Sequence, residues 1–90
     1  MNDSFEWDPE KARANAAKHG ITFGEATSVF LDPLVRIQPD DEHSSDEERY
    51  TATGMSQLGR LVIVTYTDRN RIRIISARKP TRREVADYES

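Results

Sequence analysis

The chain contains no cysteine, which removes disulfides, thiolate metal sites and a thiol nucleophile together. It has no long hydrophobic run; nothing approaches the ~18 apolar residues of a bilayer-spanning helix, so no membrane association is expected. The opening residues, Met1-Asn2-Asp3-Ser4, lack the basic stretch followed by an apolar one that marks a secretory signal. A cytoplasmic setting is therefore the expectation. Glycine and proline are scarce, at four each in 90 residues, with no Pro/Gly/Ser-rich linker, repeat or low-complexity tract. Residues 1–90 thus read as one domain. Imidazole, the usual proton-transfer group near neutral pH, occurs only at His19 and His43.

What the chain does have is charge, unevenly placed. Residues 1–48 hold 4 Lys and Arg against 12 Asp and Glu, a net of −8, whereas residues 49–90 hold 9 against 4, a net of +5. Ten of the thirteen basic residues are Arg, whose planar fork suits phosphate and carboxylate. The second half therefore suits either a polyanion or the acids of the first half.

The pattern along the chain predicts the order β-α-α-β-β-β-β-α, an α+β fold with helices on a mostly antiparallel sheet. Phe5-Glu6-Trp7 is a short extended stretch. Asp8 as N-cap and Pro9 at N1 open a helix that closes at Gly20. Thr22 and Glu25 have capping-box spacing for a second helix, with Phe23, Ala26, Thr27 and Phe30 on one face until Asp32-Pro33 stops it. Leu34–Ile37 is a short strand and residues 38–49 a polar loop. Strands follow over 49–55, 60–67 and 71–78. The middle one is β-branched on both faces, as a central strand should be. Thr81 and Glu84 box the start of a C-terminal helix ending near Tyr88.

Candidate functional residues lie mainly in the Arg-rich half. Arg71 and Arg73, two apart on a strand, share a face and are candidates for phosphate contact; Ile72, Ile74, Ser76 and Arg78 share the other. Arg49 and Arg60 flank the middle strands and are candidates to extend a cationic patch. His43 sits among Asp40, Asp41, Glu42, Asp46, Glu47 and Glu48, whose charges favour its protonated form. That run lacks the glycine and fixed spacing of a calcium loop and reads as a solvated acidic loop, so no metal or other cofactor is expected. Trp7 and Tyr66 read as base-stacking or, more ordinarily, core aromatics.

Several of these segments together resemble the BrnT toxins of bacterial type II toxin–antitoxin systems: Phe5-Glu6-Trp7-Asp8, Lys11, Asn15, Lys18-His19-Gly20-Ile21, Phe23-Gly24-Glu25-Ala26, Arg71 through Arg78, Glu84 and Tyr88. The resemblance implies a RelE-like fold and a metal-independent endoribonuclease that halts translation. It implies neutralisation by a BrnA-type antitoxin in a hetero-oligomer, with operator DNA reached only through that antitoxin. By the same resemblance, Arg78 at the strand end and Tyr88 in the following segment belong to the active surface; Arg73 and His43 are further catalytic candidates, and Arg49, Arg60 and Arg71 candidate RNA contacts, on their residue types and positions. Alternatives are a non-catalytic antitoxin-binding module acting in operon autoregulation, which the net charge of −3 favours, and a metal-dependent nuclease using the acidic loop.

Overall fold

A computed structural model of the chain describes residues 4–43 and 47–90. Five strands, β1 (Phe5–Glu6), β2 (Arg36–Pro39), β3 (Tyr50–Met55), β4 (Leu61–Asp68) and β5 (Ile72–Arg78), form one sheet in the order β1-β5-β4-β3-β2. Only the β1–β5 pair is parallel. The helices are α1 (Pro9–His19), α2 (Phe23–Ser28) and α3 (Arg82–Glu89), so the predicted α+β class and element order hold.

The helix ends follow their sequence signals. The Asp8 carboxylate accepts from the Glu10 N–H at 2.8 Å, Pro9 fills the position that needs no N–H, and Gly20 at φ 71° ends α1 in the left-handed conformation. The Thr22 hydroxyl accepts from the Glu25 N–H at 3.0 Å, but the Glu25 side chain does not reach back to close the box. It turns inward to other partners, and α2 tightens into a 3₁₀ turn over Val29–Leu31. At α3 the box is complete, with both the Thr81 and Glu84 halves formed.

Strand alternation assigns the two sheet faces. Ala52 and Gly54 of β3, Val62, Val64 and Tyr66 of β4, and Ile74 and Ala77 of β5 point toward α1 and α2. There they meet Ile21, Phe23, Ala26 and Val29 in the core. Gly54 is required by proximity: a Cβ would lie 3.0 Å from Val29 Cγ1 and 3.2 Å from its carbonyl oxygen. Most aromatics serve this face, as a chain of rings from Phe5 through Phe30 and Tyr66 to Tyr50, and as an edge-on pair of Trp7 with Phe23. The opposite face carries Thr51, Thr53, Ile63, Thr65 and Thr67 and is partly crossed by α3.

Plain alternation places Arg78 on the Ile72 and Ile74 face, and here the structure corrects it. Thr65 pairs with Ser76 but Tyr66 pairs with Ile74, so Ile75 is an extra residue, a β-bulge. Beyond the bulge the phase inverts: Ala77 turns into the core, while Ser76 and Arg78 join Arg73 on the face opposite the helices.

Asn15 locks α1 to the end of the sheet. Its side-chain Nδ2 donates to the Ala77 carbonyl at 2.8 Å and to the Ile21 carbonyl at 3.0 Å, while its Oδ1 accepts from the Ala77 N–H at 3.1 Å. Because β5 meets β4 on its other side, these Ala77 groups face the edge that the short β1 leaves uncovered. The side-chain amide supplies the missing strand's pairing.

Candidate active site

Beyond the bulge, the face opposite the helices has a floor of small polar side chains. Thr51 pairs with Thr65 and Thr65 with Ser76, so three hydroxyls stand in one row across β3, β4 and β5. Adjacent strands set them about 5 Å apart. The row lies in a cleft of ≈ 380 Å³ whose walls are Arg49, Arg78, Asp40, Glu42 and Ile75. Arg49 directly precedes β3 and Arg78 ends β5. The cleft thus joins cations that are 29 positions apart in the chain.

Arg78 is held from behind by α3. Its two Nη atoms donate to the two Glu84 carboxylate oxygens, each at 2.8 Å, and one also donates to the Lys79 carbonyl at 3.2 Å. Glu84 accepts from the Thr81 N–H as well, at 2.8 Å. The Arg78 guanidinium, aided by that Thr81 bond and opposed by partial burial, holds the Glu84 carboxyl down to about 2. The same bonds push Arg78 further up, so it stays a cation throughout. One turn beyond Glu84, the Tyr88 hydroxyl donates to Asp32 at 2.5 Å. That carboxylate raises the Tyr88 pKa, while the Met55 N–H, Tyr88 and the Leu34 N–H lower that of Asp32. Tyr88 lines an adjoining recess with Arg36, Gln38, Thr51, Thr53, Glu84 and Asp87.

The other candidates separate from this cleft. Arg73 shares its sheet face, but it lines a second cleft with Arg71, Arg69, Asn70, Thr67, Glu6 and Glu47. There Arg73 and Arg71 both donate to the Glu6 carboxylate, at 3.2 and 3.4 Å, and Arg69 pairs with Glu47 at 2.6 Å. Arg60 is not brought to either cleft. It donates to Glu25 at 2.6 and 2.8 Å and to the Gly20 carbonyl at 3.0 Å, fastening the α1–α2 connection to the start of β4. Glu25, 3% exposed, also accepts from the Ser56 hydroxyl at 2.7 Å, and the Arg60 bonds lower its pKa against the opposing effect of burial. The side chain of His43 lies outside the described residues; its backbone ends the turn Asp41–His43 that carries Glu42. Trp7 and Tyr66 are core-side aromatics. Among the described residues, no group of three or more His, Asp or Glu side chains is placed to hold a metal ion.

Sequence reasoning misses Asp40 and Glu42 as walls of the arginine cleft, the hydroxyl row beneath it, and Glu84 as partner of Arg78. For the first, the clue is the length of β2. The Asp40 N–H donates to the Arg49 carbonyl at 2.8 Å, so the acidic segment begins as a continuation of paired strands and returns at Arg49.

An α+β domain with a mostly antiparallel sheet and helices on one face is the class of fold these elements define. A family model, described as the BrnT ribonuclease toxin of type II toxin–antitoxin systems, matches residues 7–84, and the chain belongs to that family. It is similar in fold to the Brucella abortus ribonuclease toxin BrnT, known from a crystal structure at 1.1 Å resolution. The TM-score is 0.68 and the identity 23%, over 87% of this chain and 96% of that one. No protein with a curated description matches the sequence. Among the described residues no helix is long and apolar enough to cross a membrane.

Proposed function

We propose that the chain is the toxin of a type II pair and an endoribonuclease that cleaves RNA in the Arg49–Arg78 cleft without a metal. Cleavage halts translation, and a BrnA-type antitoxin silences the enzyme in a hetero-oligomer. The observation that carries this reading is the meeting of Arg49 and Arg78 with Asp40 and Glu42 in one cleft. A phosphodiester seated there places its developing negative charge between two guanidinium groups. A rim carboxylate, Asp40 or Glu42, takes the proton of the ribose 2′-hydroxyl as that oxygen attacks phosphorus. The bond to the 5′-oxygen breaks, leaving a 2′,3′-cyclic phosphate. His43, next in the chain to Glu42, protonates the departing 5′-oxygen. Arg71 and Arg73 steer the flanking strand toward the cleft.

The test is purified chain, freed of any partner, with total RNA in EDTA. Cleavage that survives EDTA and is lost in Arg78→Ala supports the proposal. Cleavage restored only by a divalent ion, or undiminished in Arg78→Ala, refutes it. The carboxylate partners of Arg71, Arg73 and Arg78 favour a second reading, a non-catalytic antitoxin-binding module. Absence of cleavage at high protein concentration, with antitoxin binding intact, selects it.

A further inference from the structure

The cleft of Arg69, Arg71 and Arg73, ≈ 390 Å³ in volume, opens on the same sheet face as the Arg49–Arg78 cleft. Thr67 lines the one and Thr65 the other; they are two residues apart on β4, or about 7 Å. Along β5, with the bulged residue set aside, Arg73 and Arg78 stand about 13 Å apart, the span of a few nucleotides. A strand whose scissile phosphate sits between Arg49 and Arg78 therefore carries a neighbouring phosphate to the second cleft.

What sits between these arginines is a carboxylate of the protein itself. Glu6 is the register partner of Arg73 in the parallel β1–β5 pair. Its two oxygens are divided between two guanidinium groups, one accepting from Arg71 Nη1 at 3.4 Å and the other from Arg73 Nη1 at 3.2 Å. Charge-assisted bonds of this kind usually close to about 2.8 Å, as the two from Arg78 to Glu84 do. The Glu6 bonds are slack and its side chain is 37% exposed, so releasing it to water costs little. A phosphodiester presents the same pair of anionic oxygens on one atom, and Arg69 and Asn70 add N–H donors to the same cleft. We propose that this cleft is a second phosphate subsite for single-stranded RNA, and that Glu6 is a built-in competitor which the arriving phosphate displaces. From the ribonuclease reading, on which it rests, the proposal takes the ligand and the neighbouring cleft that delivers it. With one segment already bound, the exchange is intramolecular and gains from a high local concentration. Glu6 thereby sets how tightly a long strand is held.

The experiment is fluorescence anisotropy with a 2′-O-methyl RNA dodecamer, which lacks the attacking hydroxyl and is not cut. Glu6→Gln is expected to lower Kd about three- to fivefold and to steepen the plot of log Kd against log salt by about 0.7, the value of one more neutralised phosphate on a single strand. Glu10→Gln, which makes the same charge change on α1 outside both clefts, leaves Kd within about 1.5-fold. In Arg71→Met/Arg73→Met, Kd rises about tenfold and Glu6→Gln no longer changes it, whereas a mere loss of negative charge would act in that background too. Arg73→Met alone serves if the double variant does not fold, and cuts the Glu6→Gln gain by at least half. An unchanged Kd in Glu6→Gln overturns the proposal, as does an equal gain without the arginines or an equal gain from Glu10→Gln. Tighter binding of polyglutamate but not of RNA by Glu6→Gln also overturns it and makes the cleft a seat for an acidic peptide. Cleavage of an unmodified dodecamer by the same samples reports on the ribonuclease reading separately. Loss of the Glu6 effect with cleavage intact sinks the subsite alone; absence of cleavage counts against the ribonuclease reading, while the affinities still decide the subsite.

Discussion

Replacing Asn15 by Ala removes a side chain that hydrogen-bonds α1 to both the α1–α2 connection and β5. Asn15 is 8% exposed and makes three hydrogen bonds, two of them to Ala77, which is fully buried. Truncation leaves the Ala77 N–H without a partner, and the carbonyls of Ala77 and Ile21 each lose one. An unpaired buried polar group costs about 1–3 kcal/mol, with the N–H the least tolerant because it has only one proton to donate. A combined loss of about 3–4 kcal/mol follows, against the roughly 5–13 kcal/mol typical of a domain this size. In urea, with a slope of about 1.3 kcal/mol/M, the midpoint falls by about 2–3 M. Trp7, packed on Phe23 beside the start of α1, reports the transition by fluorescence. Asn15→Asp separates hydrogen bonding from packing. Its carboxylate still accepts from the Ala77 N–H but faces two carbonyls with no proton to offer, so its folded pKa rises above the ordinary ~3.9. Its stability is best at low pH and is lost as pH rises from about 4 through that raised value. A midpoint shift under about 0.5 M for Asn15→Ala, or an Asn15→Asp variant that follows the parent's pH dependence, refutes the reasoning.

Gly54→Ala is expected to cost about 1–3 kcal/mol in denaturant melts, because its new methyl meets Val29 where a backbone carbonyl cannot give way. Arg60→Met is expected to lower the thermal midpoint by several degrees, leaving kcat/KM within about twofold on molecules that remain folded, since Arg60 binds Glu25 and Gly20 rather than either cleft. Calorimetry with a cleavage assay checks both parts. Acid titration followed by circular dichroism should show a loss attributable to Glu84 that begins near its unfolded pKa of 4.5 and continues as pH falls through about 2, and Glu84→Gln removes that component. Arg73→Ala, with its side chain in the Glu6 cleft, is expected to raise the KM for RNA a few-fold with kcat unchanged, whereas Arg78→Ala abolishes turnover. Single-turnover kinetics distinguish the two.

The ends of α1, the start of α3 and the element order were legible because local chemistry dictates them: Asp8 and Pro9 open α1, Gly20 closes it, and Thr81 with Glu84 starts α3. Glu25 shows the limit of that reading. Its spacing from Thr22 is that of a capping box, yet a buried carboxylate gains more from Arg60 and Ser56, both distant in the chain, than from a nearby backbone N–H. The same holds for the site. Arg49 and Arg78 were recognisable as cations, but their meeting depends on strand register, as do the alignment of Thr51, Thr65 and Ser76 and the exclusion of Arg60. A pattern within one strand does not encode its alignment with the next.

The bulge at Ile75, rather than the alternation of β5 alone, sets which face Ser76, Ala77 and Arg78 occupy. Deleting it would set Ile74 and Ser76 side by side opposite Tyr66 and Thr65, a regular ladder in which Ser76, Ala77 and Arg78 keep their faces, whereas flattening the bulge with Ile75 retained would direct Ser76 and the Arg78 guanidinium at the core and drive Ala77 to the surface. For the same reason, a comparison with a relative that lacks this residue keeps the two sides of the sheet in step only if the gap falls here; paired without a gap, the rest of β5 would be set against residues of the opposite face.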